Sequence, residues 1–250
     1  MIETTVEDGI AVLTIDHGPV NALDIELLTA LPAALDAAEQ ATAKAIVITG
    51  VGSTFSAGAD LVRLLDEGGA YVEAARPLAS RAFERMFTCA LPTVAAINGH
   101  AIAGGCVIAL ACDHRITIEG DHRIGIPELR VGVPFPIWAL ETVRFAVAQP
   151  HLQRLMYSGR LEQPAEALAL GLVDEVVAPD QLMPRARAIA GRLASIPPAS
   201  FALTKGSLRR PFAERARSGE AIDDEGTVIW ASPEARESVQ RFIERTFGGR

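Results

Sequence analysis

The chain has 250 residues, 49% of them hydrophobic and 22% charged, which is enough apolar material for a sizeable core, with no run approaching the roughly 18 apolar residues that a membrane helix needs. With 31 acidic against 23 basic residues the formal net charge is −8, which excludes nucleic acid or an anionic membrane surface as the main partner, because both demand a basic field. Cys89, Cys106 and Cys112 are odd in number and lack paired metal-ligand spacing, so they read as buried free thiols in a reducing compartment; Met1-Ile2-Glu3 opens no basic and apolar leader, and the expected location is the cytoplasm.

Residues 4–8 and 10–16 are β-rich runs split at Gly9 and predict a hairpin. Gly18-Pro19 then breaks the chain before an amphipathic helix over about 24–40, with Asp24 as N-cap. Residues 45–50 read as a buried strand, a second helix is expected over about 77–88, and 93–97 as the next buried strand. A helix through Leu110, strands at 115–118 and 123–126, and the loop 127–134 follow. Strands alternating with helices require crossover connections and a largely parallel sheet, so the fold class is α/β. From about Pro136 the pattern is mostly helical, with one short strand at 173–177. Ser195-Ile196-Pro197-Pro198 sets off a charged helical tail whose large apolar groups are Trp230, Phe242 and Phe247. That tail is expected to form a separate helical layer or a subunit interface.

Two glycine-rich turns carry the chemistry: Phe55-Ser56-Ala57-Gly58-Ala59-Asp60 and Asn98-Gly99-His100-Ala101-Ile102-Ala103-Gly104-Gly105-Cys106. Each follows a strand-like run and leads into a helix-like one, so each can present backbone N–H groups to a developing negative charge. The pair suggests an oxyanion hole.

These two turns, together with Ala111-Cys112-Asp113, Pro127-Glu128, the segment from Ala165-Glu166-Ala167 to Leu172-Val173-Asp174, and Leu203-Thr204-Lys205, resemble the crotonase (enoyl-CoA hydratase/isomerase) superfamily in order and spacing along nearly the whole chain. The resemblance implies a spiral of β-β-α units over residues 1–195 and a helical C-terminal region over 196–250 that mediates a homotrimer or a dimer of trimers. It also implies an acyl-CoA thioester substrate, with coenzyme A part of that substrate and no separate cofactor. The oxyanion donors carried over by position are the N–H groups of Ala59 and Gly104.

Hydratases of this superfamily use two glutamates around a water. Here the first position holds Val107 and the second Glu128, so one carboxylate remains. A single base can take a proton from the α-carbon of a 3-enoyl thioester and return it to the γ-carbon, and in this respect, as in Pro136-Ile137-Trp138, the chain resembles the isomerases of the superfamily. Phe135 can neither donate nor accept a proton, which argues against the decarboxylase and dehalogenase variants. The resemblance places Asn21, Ala22, Ser56, Ala57, Gly58 and Asp60 in segments that wrap adenine and pantetheine through their backbone, Asp60 also being a candidate helix cap. Phe135 and Trp138 join the stretch 61–78 as expected walls of the acyl pocket, Gly68-Gly69 suggesting mobility there. Arg63 and Lys205 are candidates for the CoA phosphates, a solvated surface role being the alternative for each. No histidine has ligand-like spacing, so no metal is expected, and His100 is read as facing the turn. Two alternatives stay open: a hydratase in which Glu141 or the Asp66-Glu67 segment replaces the absent glutamate, and a catalytically lapsed acyl-CoA binder.

Overall fold

The computed structural model describes residues 1–247, the side chains of Glu220, Thr246 and Phe247 lying outside the described part. Strands β1 (Ile2–Glu7) and β2 (Ile10–Ile15) pair antiparallel with Ile2 opposite Ile15. Asp8 and Gly9 both take positive φ, 53° and 77°, the geometry of a tight two-residue hairpin turn. After β3 (Ala22–Leu23), helix α1 (Ile25–Gln40) starts where the Asp24 carboxylate accepts from Leu27 N at 2.9 Å, and it buries Leu27, Leu28, Leu31 and Leu35.

The unit then repeats. Strands β4 (Ala45–Gly50), β5 (Thr54–Ser56) and β6 (Gly58–Ala59) lead to helices α2 (Leu61–Glu67) and α3 (Gly69–Thr88). Strands β7 (Thr93–Ile97) and β8 (His100–Ile102) lead to α4 (Gly104–Ala111), and β9 (His114–Ile118) with β10 (Ile124–Gly125) leads to the single turn α5 (Glu128–Val131). Next come α6 (Ile137–Ala146), α7 (Gln149–Ser158), α8 (Pro164–Ala169), β11 (Glu175–Val177) and α9 (Leu182–Ala194). The chain ends with α10 (Pro198–Ser218), α11 (Glu220–Trp230) and α12 (Pro233–Phe247).

The main sheet has the order β1-β2-β4-β7-β9-β11, parallel except for the first pair. Its two faces alternate with period 2: Leu13, Ile15, Ile46, Ile48, Ala95 and Ile97 pack toward α1, α3 and α4, while Val12, Val47, Val94 and Ile116 pack against Leu182, Ala186 and Ile189 of α9. Burial on both faces explains why these strands read as continuous apolar runs. The second strand of each turn forms a small parallel sheet, β5-β8-β10, and β3 pairs with β6.

The helix expected to start at Pro77 begins at Gly69 and runs through it. Pro77 gives up one backbone donor, and the buried side chains on both sides of it, Val72 and Arg76 before and Phe83 and Met86 after, hold the helix together. The expected mobile wall over 61–78 is accordingly helical, broken only at Gly68, where φ is 69°. The helices beyond Pro197 turn back on their own chain: Ala235, Val239 and Phe242 of α12 share a core with Leu64, Tyr71 and Val72, and α10 packs along α3 and α6.

Lys205 of α10 is not at a phosphate-accessible surface. Its Nζ donates to Asp113 and to Leu91 O, both at 2.7 Å, while Arg209 donates to Asp113 at 2.8 Å and to Phe87 O at 2.7 Å. Both cations are buried, and Asp113 also receives Thr93 N, fastening α10 to the sheet. Asp113→Ala strands two cations in the interior and is expected to cost about 3–5 kcal/mol, measured by denaturant unfolding. A loss within 1 kcal/mol would show that the cluster does not anchor the helix.

Candidate active site

Three short segments meet because the small sheet aligns them. Ser56, at the end of β5, donates its hydroxyl to Asn21 O at 2.8 Å and accepts from Gly58 N at 3.2 Å. This bends the chain at Gly58, whose φ of 80° suits glycine. A Cβ there would stand 2.7 Å from Ile102 O and 3.0 Å from Gly104 N, so the two glycine turns are in direct backbone contact. Gly105 is equally constrained, since its Cβ would fall 2.3 Å from Ser56 O.

Gly104 opens α4. Its N–H has no carbonyl four residues back within the helix, and Ala103, itself at φ 51°, provides no side-chain cap. Ala103 N donates to Gly125 O at 2.8 Å, and β10 pairs with β8 in register, Gly125 beside Ile102. Glu128 follows Gly125 by three residues, and this pairing delivers it to the same place.

Ala59, Gly104 and Glu128 line one cleft of about 690 Å³, counting its solvent-filled mouth, with Leu23, Phe83 and Ala139 among its apolar walls. Glu128 is 6% exposed, and its Oε2 has no hydrogen-bond partner among the described residues. Burial, with no charged side chain offsetting it, raises the carboxyl from 4.5 to about 8. An uncommitted carboxylate beside backbone donors is suited to moving a proton at a carbon next to a carbonyl.

The remaining expected residues divide clearly. Asp60 lines the cleft, and its Oδ1 caps α2 by accepting from Arg63 N at 2.9 Å. Asn21, Ser56 and Gly58 are buried behind the cleft as scaffold, Asn21 tying the turn to Thr54 O at 2.8 Å and to His17 N at 2.9 Å; Ala22 and Ala57 flank them outside the cleft lining. Phe135 and Trp138 do not reach the cleft. Both are buried in the core, Trp138 against Phe87 at 6.3 Å, and their helical neighbours Pro136 and Ala139 form the wall instead. Arg63 is held at the surface by Glu26 and Glu67, at 2.6 and 2.5 Å. His100 accepts from Arg123 N at 3.1 Å, outside the cleft lining.

Val107 is fully buried in α4, away from the cleft lining. Neither Glu141, ion-paired to Arg144 and Arg215, nor Glu67 replaces a second glutamate there. The expected wall over 61–78 is supplied by Leu64, Tyr71, Val72, Ala75 and Arg76, of which the sequence reading singled out none, and Trp230, which also lines the cleft, it did not place there. The signal for Arg76 was a helical stripe over 72, 76, 79 and 83 in which a lone arginine interrupts small and apolar residues.

A family model described as "Enoyl-CoA hydratase/isomerase" matches residues 5–247. The chain is similar to "Enoyl-CoA delta isomerase 1, mitochondrial" of Rattus norvegicus, at 32% identity over 97% of this chain and 84% of that protein. It is similar to "Short-chain-enoyl-CoA hydratase" of Clostridium acetobutylicum at 28% identity, covering 96% and 93%. The crystal structure of human mitochondrial delta3-delta2-enoyl-CoA isomerase superposes with a TM-score of 0.92 at 30% identity, covering 98% of this chain and 97% of that one.

The buried carboxyl has a signature in stability. Between pH 4.5 and about 8 the folded state keeps a proton that the unfolded chain has lost, so this group lowers stability progressively as pH rises through that window and by a constant amount above it. Glu128→Gln is therefore expected to leave Tm unchanged near pH 4 and to raise it by roughly 10 °C at pH 8, a gain of about 4 kcal/mol. Calorimetry across that range checks this, and a difference independent of pH contradicts it.

Proposed function

Because this chain belongs to the enoyl-CoA hydratase/isomerase family, we propose that its cleft shifts the double bond of a 3-enoyl-CoA into conjugation with the thioester. The thioester carbonyl oxygen lies between the N–H groups of Ala59 and Gly104. The Glu128 carboxylate takes a proton from the α-carbon, and the electron pair left behind delocalises through the double bond and onto the carbonyl oxygen. Protonated Glu128 then returns that proton to the γ-carbon, the 2,3 double bond forms, and the carboxylate is regenerated. Nothing is gained or lost overall.

The observation that carries this reading is Glu128, whose Oε2 has no hydrogen-bond partner among the described residues, lining the same cleft as Ala59 and Gly104, with valine at 107. Two preformed donors stabilise the enolate oxygen without reorganisation, the loss of one typically costing ~100- to 1,000-fold. A water held for addition needs a second polar anchor. Asp60 is the one cleft residue that favours hydration as a second reading, and its capping bond to α2 already occupies one oxygen. An unpartnered buried carboxylate is costly to keep, which weighs against a lapsed acyl-CoA binder.

Coenzyme A in this reading follows the backbone of 20–23 and 56–60, with Arg63 near its phosphates. The assembly is a homotrimer or a dimer of trimers, a proposal supported by exposed apolar groups on α10 and α11, Leu203, Leu208 and Val228 among them.

Purified protein given a 3-enoyl-CoA is expected to form the conjugated thioester, followed by its ultraviolet absorbance, faster than it hydrates crotonyl-CoA in a parallel assay. Glu128→Gln should lower kcat by ~100-fold or more; turnover unchanged in that variant removes Glu128 from the mechanism. Since Glu128 must be ionised to act as base, kcat/KM should rise with pH up to about 8 and level off above it. A profile flat from pH 6 to 9 contradicts that role.

A further inference from the structure

The strand pair that delivers Glu128 to the cleft is closed by a side chain. Ala101 N donates to Arg123 O at 3.0 Å, Ala103 N donates to Gly125 O at 2.8 Å, and Ile124 exchanges two bonds of 2.9 Å with Glu162. All of these join backbone to backbone. The Arg123 N–H, at the entry to β10, is received instead by the imidazole Nδ1 of His100 on β8, at 3.1 Å. The reaction proposed above gives His100 no part, since it lies outside the cleft lining.

A backbone N–H can only donate, so this bond needs an unprotonated Nδ1 and fixes the neutral ring with its proton on Nε2. Protonation of the ring sets two donors against each other and leaves the Arg123 N–H without an acceptor. The charged and titratable groups facing His100 come from the segment that enters β10: the His122 ring, edge-on at 6.4 Å, and Asp121 and Arg123, which pair at 3.1 Å. Helix α4 and strand β5 also pack on β8, and the one titratable group they bring is the buried thiol of Cys106. Burial first, and the Arg123 guanidinium second, hold the imidazole below its ordinary 6.5, with Asp121 opposing them. The bond to Arg123 is thus intact at about pH 8, where the Glu128 carboxyl ionises, and is lost as pH falls below 6.5.

The link from Arg123 to Glu128 is short and stiff. Five positions separate them, and only Ile126 and Pro127 lie between β10 and the catalytic carboxyl. Ile126 is fully buried in the main core, and Pro127 holds its φ at −87° by its ring. A close-packed side chain and a fixed dihedral pass a displacement along the chain instead of absorbing it. Movement at the entry of β10 therefore reaches Glu128.

We infer that His100 is a positioning residue for Glu128: its neutral ring holds the entry of β10, and on protonation it releases Arg123 and loosens the carboxyl from its place in the cleft beside Ala59 and Gly104. This rests on Glu128 being the base of the isomerase reading. His100 touches no reacting atom and acts through residues 123–127. Its own N–H donates to Ser53 O at 3.1 Å, so the ring is carried by a strand anchored at its start.

The test compares His100→Phe, which keeps a ring and loses the acceptor, with His100→Asn, whose Oδ1 can stand in for Nδ1 and does not titrate. With a 3-enoyl-CoA, kcat of His100→Phe should fall ~10-fold or more at nearly unchanged KM, because a small displacement of the base is felt in the chemical step. His100→Asn should keep most of the wild-type kcat. The pH profile separates positioning from mere stability. Log kcat/KM of the wild type should climb with a slope of one between pH 6.5 and 8, where Glu128 alone titrates, and with a slope approaching two from pH 6.5 down to 5, while both variants keep a slope of one throughout. Wild type against His100→Asn decides the matter if His100→Phe fails to fold. Unchanged kcat in His100→Phe, a wild-type slope of one down to pH 5, or a slope of two that persists in His100→Asn overturns the inference. If no 3-enoyl-CoA is isomerised, the isomerase reading has failed by itself, and a double-mutant cycle at pH 8 decides the inference. Glu128→Gln should then raise Tm less than half as much in the His100→Phe background as in the wild type, because a loosened carboxylate reaches water; an equal gain in both overturns it.

Discussion

The contact between two backbone turns governs everything in this cleft. Gly58 and Gly104 approach so closely that a methyl group on Gly58 would overlap Ile102 O and crowd Gly104 N, and a methyl on Gly105 would overlap Ser56 O. The approach is enforced from behind by pairing of β5, β8 and β10 and by the hydroxyl of Ser56, which grips the turn before it. Rigid main chain is a good source of donors for a transient negative charge, because strands and a helix start fix its orientation before substrate arrives. The same sheet places Glu128, since its position depends on Gly125 lying beside Ile102.

Burial gives this carboxyl its chemistry. With no cation beside it, removal from water pushes its ionisation to about 8. Asp113 shows the opposite arrangement within one chain. It lies between Lys205 and Arg209, and it serves as an anchor for α10. What separates these two carboxyls is the company each keeps.

The C-terminal helices do more than add a layer. Trp230 of α11 lines the cleft and stands over Arg76, while α12 closes a small core on α2 and α3. The lining of the cleft is therefore made from residues more than a hundred positions apart, and part of it is decided by how the tail folds back. Family membership is secure across residues 5–247, and relatives named as isomerases and as hydratases share this fold, so the choice of reaction has to be argued from the side chains in the cleft.

Local chemistry was legible in the sequence wherever a short stretch determines its own conformation. Asp8-Gly9 makes a hairpin, Asp24 and Asp60 cap helices, the apolar runs at 45–50 and 93–97 become buried parallel strands, and the glycine turns mark where backbone must come close. Glu128, Ala59 and Gly104 were singled out by the family resemblance, and the structure brings the three to one cleft. The sequence could not say which way a side chain faces once helices pack. Lys205 has the composition of a surface group and is an interior anchor, Phe135 and Trp138 have that of pocket walls and fill the core, and Pro77 looks like a helix start yet lies inside α3. Tyr71, Arg76 and Trp230 meet in the cleft only because α11 closes over α3. Propensity and spacing act over a few residues, whereas exposure and partners are set by contacts between distant segments, and those exist only in the folded chain.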